Sequence, residues 1–155
     1  RCFRIDAKHA RVSGNLYQYP FLQLAEATLA VNLSGIAIHF ADLCRDVFKQ
    51  RKQQPRLTEN NKIKLEQVLQ GAIAGLQLAR SDFFAVVDAS WQKPGDAELK
   101  AASKASRYLA ITARQAVDQL FPYCGLMAAS PDTEINRVWR DIHTAGQHAL
   151  LTFEE

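Results

Sequence analysis

Residues 20–50 read PFLQLAEATLAVNLSGIAIHFADLCRDVFKQ. Leu22, Ala25, Leu29, Leu33, Ile36, Phe40, Leu43 and Val47 follow one another there at alternating three- and four-residue steps. That spacing lays them along one stripe of a helix from about Pro20 to Gln50. Pro20 suits its first turn, where a missing N–H removes no hydrogen bond. Gln54-Pro55 ends the run.

Two more stripes follow. Leu65, Leu69, Ala72, Leu76, Ala79, Phe83, Val86 and Ser90 mark a second helix, with Thr58 as N-cap, Glu59 at the positive end of the dipole and a stop near Lys93, before Pro94-Gly95. Asp96 can cap a third, which carries Leu99, Ala102, Ser106, Leu109, Ala113, Ala116 and Leu120 on one face and ends around Phe121-Pro122. After a connector containing Gly125, Pro131-Asp132 opens a fourth helix from about Thr133 to Leu151, with Ile135, Val138, Trp139, Ile142 and Ala145 inward. Short connectors between long helices predict an all-α, antiparallel, up-down-up-down four-helix bundle. The first and third helices carry more apolar surface than such a core uses, which predicts a further contact with another domain or subunit.

The chain has 155 residues, the size of one domain with a real core. It opens on Arg1, and residues 1–19 (RCFRIDAKHARVSGNLYQY) lack helical periodicity. They are expected to be the tail of a preceding β-domain, with Cys2-Phe3-Arg4-Ile5 as a last short strand and the bundle occupying 20–155. The net charge of +3 is mild. Its cations gather at Lys49, Arg51, Lys52 and Arg56, which read as a solvated connector complementing a helix C-terminus. A nucleic-acid interface would need a broader basic face with aromatic residues. Three widely spaced cysteines, Cys2, Cys44 and Cys124, with no CxxC, argue for a reducing, cytoplasmic compartment rather than a disulfide framework. Cys44 and Cys124 read as buried small apolar residues rather than reactive thiols. The sequence shows no signal peptide. The least charged run, Ala27 to Ala41, is shorter than the roughly 20 residues that span a bilayer.

Residues able to carry chemistry are few. A di-iron bundle needs Glu-x-x-His motifs and inward carboxylates; no Glu precedes a His at that spacing, and the apolar stripes hold no carboxylate. His143 and His148 lie about 140° apart around a helix and cannot share an ion, so no metal is expected. No G-x-S-x-G and no phosphate-cradling Gly loop is present. Polar residues remain where a bundle normally has none. Asn32 and His39 on the first helix either bond within the packing or line a cleft at its edge. His148 reads as a helix-end histidine, with Thr144 one turn earlier on the same side.

The segment Asn136-Arg137-Val138-Trp139-Arg140-Asp141-Ile142-His143-Thr144-Ala145-Gly146-Gln147-His148 resembles the last core helix of acyl-CoA dehydrogenase-fold proteins, with Trp139, Arg140 and Asp141 as its structural signature. Trp before Arg-Asp and His eight after the Arg is the version of the flavin-dependent monooxygenase branch. Asn15-Leu16-Tyr17-Gln18-Tyr19-Pro20-Phe21 is similar to that branch's entry into its C-terminal domain, and Leu120-Phe121-Pro122-Tyr123-Cys124-Gly125 to the stretch before the last helix.

The resemblance implies the C-terminal part of a larger enzyme, with N-terminal helical and β-domains before it, flavin between the β-domain and the bundle, and assembly as a dimer or a dimer of dimers. It implies Tyr123, Gly125 and His148 near the cofactor; Asn32 and His39, read from their place on the first helix, are the candidates for the substrate cleft. His148 would hydrogen-bond the oxygen species at the flavin or assist proton transfer, a task for a side chain titrating near neutrality. Where classical dehydrogenases mostly place their catalytic Glu, this chain has Ala149, which cannot remove a proton α to a thioester. Glu26, the only inward Glu of the first helix, lies near its start. Lys49-Gln50-Arg51-Lys52-Gln53-Gln54-Pro55 stands in place of an Arg-x-x-Phe-Gly-like FAD motif, which suits FMN or a diffusible flavin supplied by a flavin reductase, and would also suit a degenerate paralogue. The alternatives are a dehydrogenase with another base, or a non-catalytic oligomerisation domain.

Overall fold

A computed structural model describes residues 12–153, so the strand expected at Cys2–Ile5 and most of the 1–19 segment lie outside the described residues. A single turn, α1 (Asn15–Gln18), leads into α2 (Phe21–Lys52), α3 (Glu59–Gln92) and α4 (Asp96–Leu120). Two 3₁₀ turns, Phe121–Tyr123 and Leu126–Ala129, then connect to α5 (Glu134–Ala145) and a last short turn, α6 (Ala149–Thr152). Among the described residues no strand is present, and the three long helices with α5 form the expected all-α bundle.

Local signals set most boundaries. Pro20, in an extended conformation, precedes α2, and Lys49, Arg51 and Lys52 occupy its last turn, where cations meet the unpaired carbonyls. Thr58 Oγ1 accepts the Asn61 N–H at 3.3 Å and starts α3. Two boundaries depart from expectation. Gly95, not Asp96, is the N-cap of α4; Asp96 sits inside the first turn with Glu98, where both carboxylates meet the dipole without a capping bond. The fourth helix stops at Ala145 instead of running to Leu151. Tertiary contact explains the stop: Arg114 of α4 bonds the Gly146 carbonyl at 3.2 Å, and its Cδ lies 2.5 Å from where a Cβ would stand on Gly146. Ala145, expected inward, is therefore at the exposed end of α5.

Helix α4 packs against both α2 and α3, and α5 lies along α2. Leu65, Leu69, Ala72, Leu76, Ala79, Phe83 and Ser90 of α3 are buried as the stripe predicts. Helix α2 is turned from its expected orientation. Its buried face is Glu26, Ala27, Ala30, Leu33, Ser34, Ala37, Phe40, Ala41, Cys44 and Phe48, while Leu29, Ile36, Leu43 and Val47 are only partly buried at its flank. Small side chains on both helices explain the rotation. Ala102, Ser103, Ser106, Ala110, Ala113 and Ala116 of α4 also face inward, and small residues let two backbones approach closely. Phe40, Phe48 and Phe83 fill the remaining space, each contributing about 2 kcal/mol by area burial.

Helix α2 is long enough to cross a membrane and contains an 18-residue stretch apolar enough to do so, although its least charged run, Ala27 to Ala41, is shorter. Only 28% of its most apolar window is buried, which leaves Val31 and Ile38 exposed. Phe84 of α3, Ile111 of α4 and Leu126 and Met127 of the connector are exposed as well.

Candidate functional site

Three polar clusters are strung along α2. The first lies at its start. His148 is exposed after the Gly146-Gln147 turn and caps α6, its Nδ1 accepting the Leu150 N–H at 3.3 Å. A neutral ring so held carries its proton on Nε2, which is left as a donor. The sequence placed His148 on the long last helix beside Thr144; the helix break puts it on a separate turn. Beside it, Ala149, Leu150 and Phe153 line a cavity of about 260 Å³ together with Glu26, Ser103 and Arg107.

Glu26 is buried, and its Oε1 accepts from Arg107 at 2.7 Å. Its Oε2 has no hydrogen-bond partner among the described residues. A sealed carboxylate oxygen without a donor is costly. Gln23 Nε2 donates to Ser103 Oγ at 3.2 Å on the same wall. The expectation that the buried stripes hold no carboxylate is therefore corrected: the rotation of α2 exchanges Ala25 for Glu26 on the core face.

The second cluster lies midway. Asn32 and His39 of α2 and Asp141 of α5 border a groove of about 390 Å³, with His39 Nε2 3.2 Å from Glu134 Oε1. The structure thus places both expected cleft residues on one groove, with Asp141 opposite. Of the remaining signature residues, Trp139 stacks on Phe121 at 5.0 Å between ring centres. Arg140 donates back to the Pro131 carbonyl at 3.3 Å and holds the connector rather than pairing with Asp141, which instead faces Arg137 at 3.7 Å. His143 ties α5 to α4, with Nδ1 on the Trp139 carbonyl at 2.6 Å and Nε2 2.9 Å from Asp118.

The third cluster closes the far end. Arg51 donates to the Tyr123 carbonyl at 2.6 Å and lines a cavity of about 480 Å³ with Cys124, Gly125 and Met127. Gly125 has φ +84, and a Cβ there would stand 2.9 Å from the Arg51 guanidinium. Glycine is thus needed for the backbone, while the arginine head would have to shift slightly to admit a side chain. Arg51 was expected to be a solvated connector cation, and it is a half-buried tether instead.

Tyr123 and Gly125 do not meet His148 within one chain. The two cavities are reached from Glu26 and Arg51, about 38 Å apart along a straight helix. Among the described residues no group of His, Cys, Asp and Glu converges as a metal site. Sequence reasoning missed Arg107 and misjudged the role of Arg51. The only signal for Arg107 was an Arg on the flank of a small-residue helix face, which periodicity does not single out.

Residues 27–153 match the family model of the acyl-CoA dehydrogenase C-terminal domain. The chain belongs to that family. A pigment production hydroxylase of Rhodococcus erythropolis is 33% identical over 85 residues, covering 51% of this chain and 22% of that protein. The fold is also that of the 3-HSA hydroxylase from Rhodococcus sp. RHA1, with a TM-score of 0.79 at 18% identity, over 91% of this chain and 38% of that one. The HsaA monooxygenase from M. tuberculosis gives a TM-score of 0.74 at 18% identity, over 92% and 38%. The chain thus spans well under half the length of each of these relatives.

Proposed function

We propose that this domain forms one wall of the catalytic cleft of a flavin-dependent monooxygenase, with His148 as the residue nearest the reacting oxygen. The observation that carries this reading is the setting of His148. It stands exposed at the head of α6 with Nδ1 occupied and, among the described residues, no partner for Nε2, and it is followed by Ala149, a wall residue of the cavity, instead of by a carboxylate. The hydroxylase and monooxygenase relatives support the same class.

The residues suit a flavin. His148 Nε2 offers a donor at one end, and at the other Gly125 leaves its backbone open beside the Arg51 cation. The flavin, FMN or FAD, would activate oxygen. This chain's part is to present the His148 N–H donor, to wall off water with Leu150 and Phe153, and to seat the substrate along the α2 groove by Asn32 and His39. The full-length protein would carry N-terminal helical and β-domains, work in the cytoplasm and draw on a flavin reductase. A homodimer, or a dimer of dimers, would cover Val31, Ile38 and Ile111. A two-fold, antiparallel pairing would also bring one copy's Gly125 end beside its partner's His148 end.

In the full-length protein, His148→Ala is expected to lower hydroxylation by roughly 100-fold, the usual range for a lost proton-transfer or oxygen-stabilising group. Sedimentation should show an unchanged oligomer. Wild-type turnover in that variant would leave the domain as an assembly scaffold.

A second reading has one observation in its favour, the buried Glu26 with its unpartnered oxygen on the same cavity. A dehydrogenase could use that carboxylate as its base. Anaerobic bleaching of the flavin by a CoA thioester, lost in Glu26→Gln, would establish it.

A further inference from the structure

The Cys44 and Cys124 sulfurs lie 3.3 Å apart, joining α2 to the connector after α4. Both thiols are free and buried. Their surroundings differ. Cys44 is sealed inside the helix face, whereas Cys124 lines the far-end cavity together with Arg51. We propose that this pair is a modification site, a dithiol that hydrogen peroxide converts to a Cys44–Cys124 disulfide.

The cavity gives peroxide a route to Cys124 and none to Cys44. The two thiols also ionise unequally. The hydrogen bond from Cys44 and the nearby Arg51 charge hold Cys124 below the ordinary thiol value, against burial. Cys44 is pushed well above it by its bond to Cys124, by burial and by the charge on Cys124. Cys124 is therefore the attacking thiolate and Cys44 the resolving thiol.

In the first step Cys124 Sγ attacks one peroxide oxygen and the O–O bond breaks. Hydroxide leaves, takes up a proton as water, and Cys124 becomes the sulfenic acid. In the second, Cys44 Sγ attacks that sulfur, the S–S bond forms and the S–O bond breaks, and the hydroxyl departs as water with the Cys44 proton. Two thiols and one peroxide give one disulfide and two waters, the sulfurs losing the two electrons that peroxide gains. Closing the bond draws the sulfurs together by roughly 1.3 Å. The connector is the part placed to move, since Cys124 lies between a 3₁₀ turn and Gly125.

The test uses reduced, full-length protein treated with a small excess of hydrogen peroxide, then denatured, alkylated and digested. The expected result is a peptide pair linked through Cys44 and Cys124 and released by dithiothreitol. Cys44→Ala should let dimedone trap the sulfenic acid on Cys124. Cys124→Ala should slow thiol loss at Cys44 by about 10-fold or more, as expected for a protonated, sealed thiol. Recovery of both cysteines alkylated after peroxide would overturn the proposal. So would oxidation of wild-type Cys124 to sulfinic acid without the link, or a link from either residue to Cys2. The wild-type peptide map decides these outcomes even if a variant folds poorly.

Discussion

The two ends of α2 hold polar groups of different kinds. At the start, Glu26 and Arg107 form a buried ion pair whose second carboxylate oxygen has no donor among the described residues, beside the exposed His148. At the finish, two thiols meet under Arg51, which is tethered to a backbone carbonyl. Between them the buried face of α2 is mainly alanine, leucine and phenylalanine, with Ser34 the one polar residue. A buried charge pair is costly to break, whereas a half-exposed cation on a carbonyl is cheap to lose. The start of the helix is thus built to hold charge in place next to the cavity, and the finish to let a connector move.

That contrast gives ordered expectations. Arg107→Met leaves Glu26 buried and unpaired, and should cost about 3 kcal/mol in urea unfolding of the full-length protein. Gly125→Ala should cost about 2 kcal/mol of stability, because a side chain is forced into positive φ and against the Arg51 guanidinium. Arg51→Met should cost about 1 kcal/mol, the loss of one partly solvated hydrogen bond. If Arg51→Met proved as damaging as Arg107→Met, the two ends would not differ in the way described. A smaller effect sharpens the chemistry of the far end. Because Cys124 is held below the ordinary thiol value, its oxidation rate should keep its plateau to lower pH than that of a free thiol. In Arg51→Met the fall should move upward in pH, which stopped-flow peroxide consumption would read.

Helix α3 was legible almost residue by residue, because one stripe of large side chains faces one direction and Thr58 and Pro94-Gly95 mark its ends. Helix α2 was legible as a helix but not in its orientation. Hydrophobic spacing follows the large residues, and here they flank a face of Ala, Ser and Cys that α4 covers. That error of about one residue left Glu26, although noticed as the one inward Glu of the helix, outside the predicted core stripe. The last helix misled for another reason. Its break depends on Arg114 of α4 pressing on Gly146, a contact between residues distant in sequence. The family was legible from Trp139-Arg140-Asp141 and its surroundings, and the family match agrees. The pairing of Cys44 with Cys124 was not, since nothing in their spacing says that the two sulfurs meet.

The most direct measurement is the amount of hydroxylated product per oxygen consumed by the full-length protein, compared in His148→Ala and Glu26→Gln. The account predicts that His148→Ala loses most of its product while still consuming oxygen, and that Glu26→Gln retains coupled turnover. Normal coupling in His148→Ala, with Glu26→Gln inactive, would contradict it.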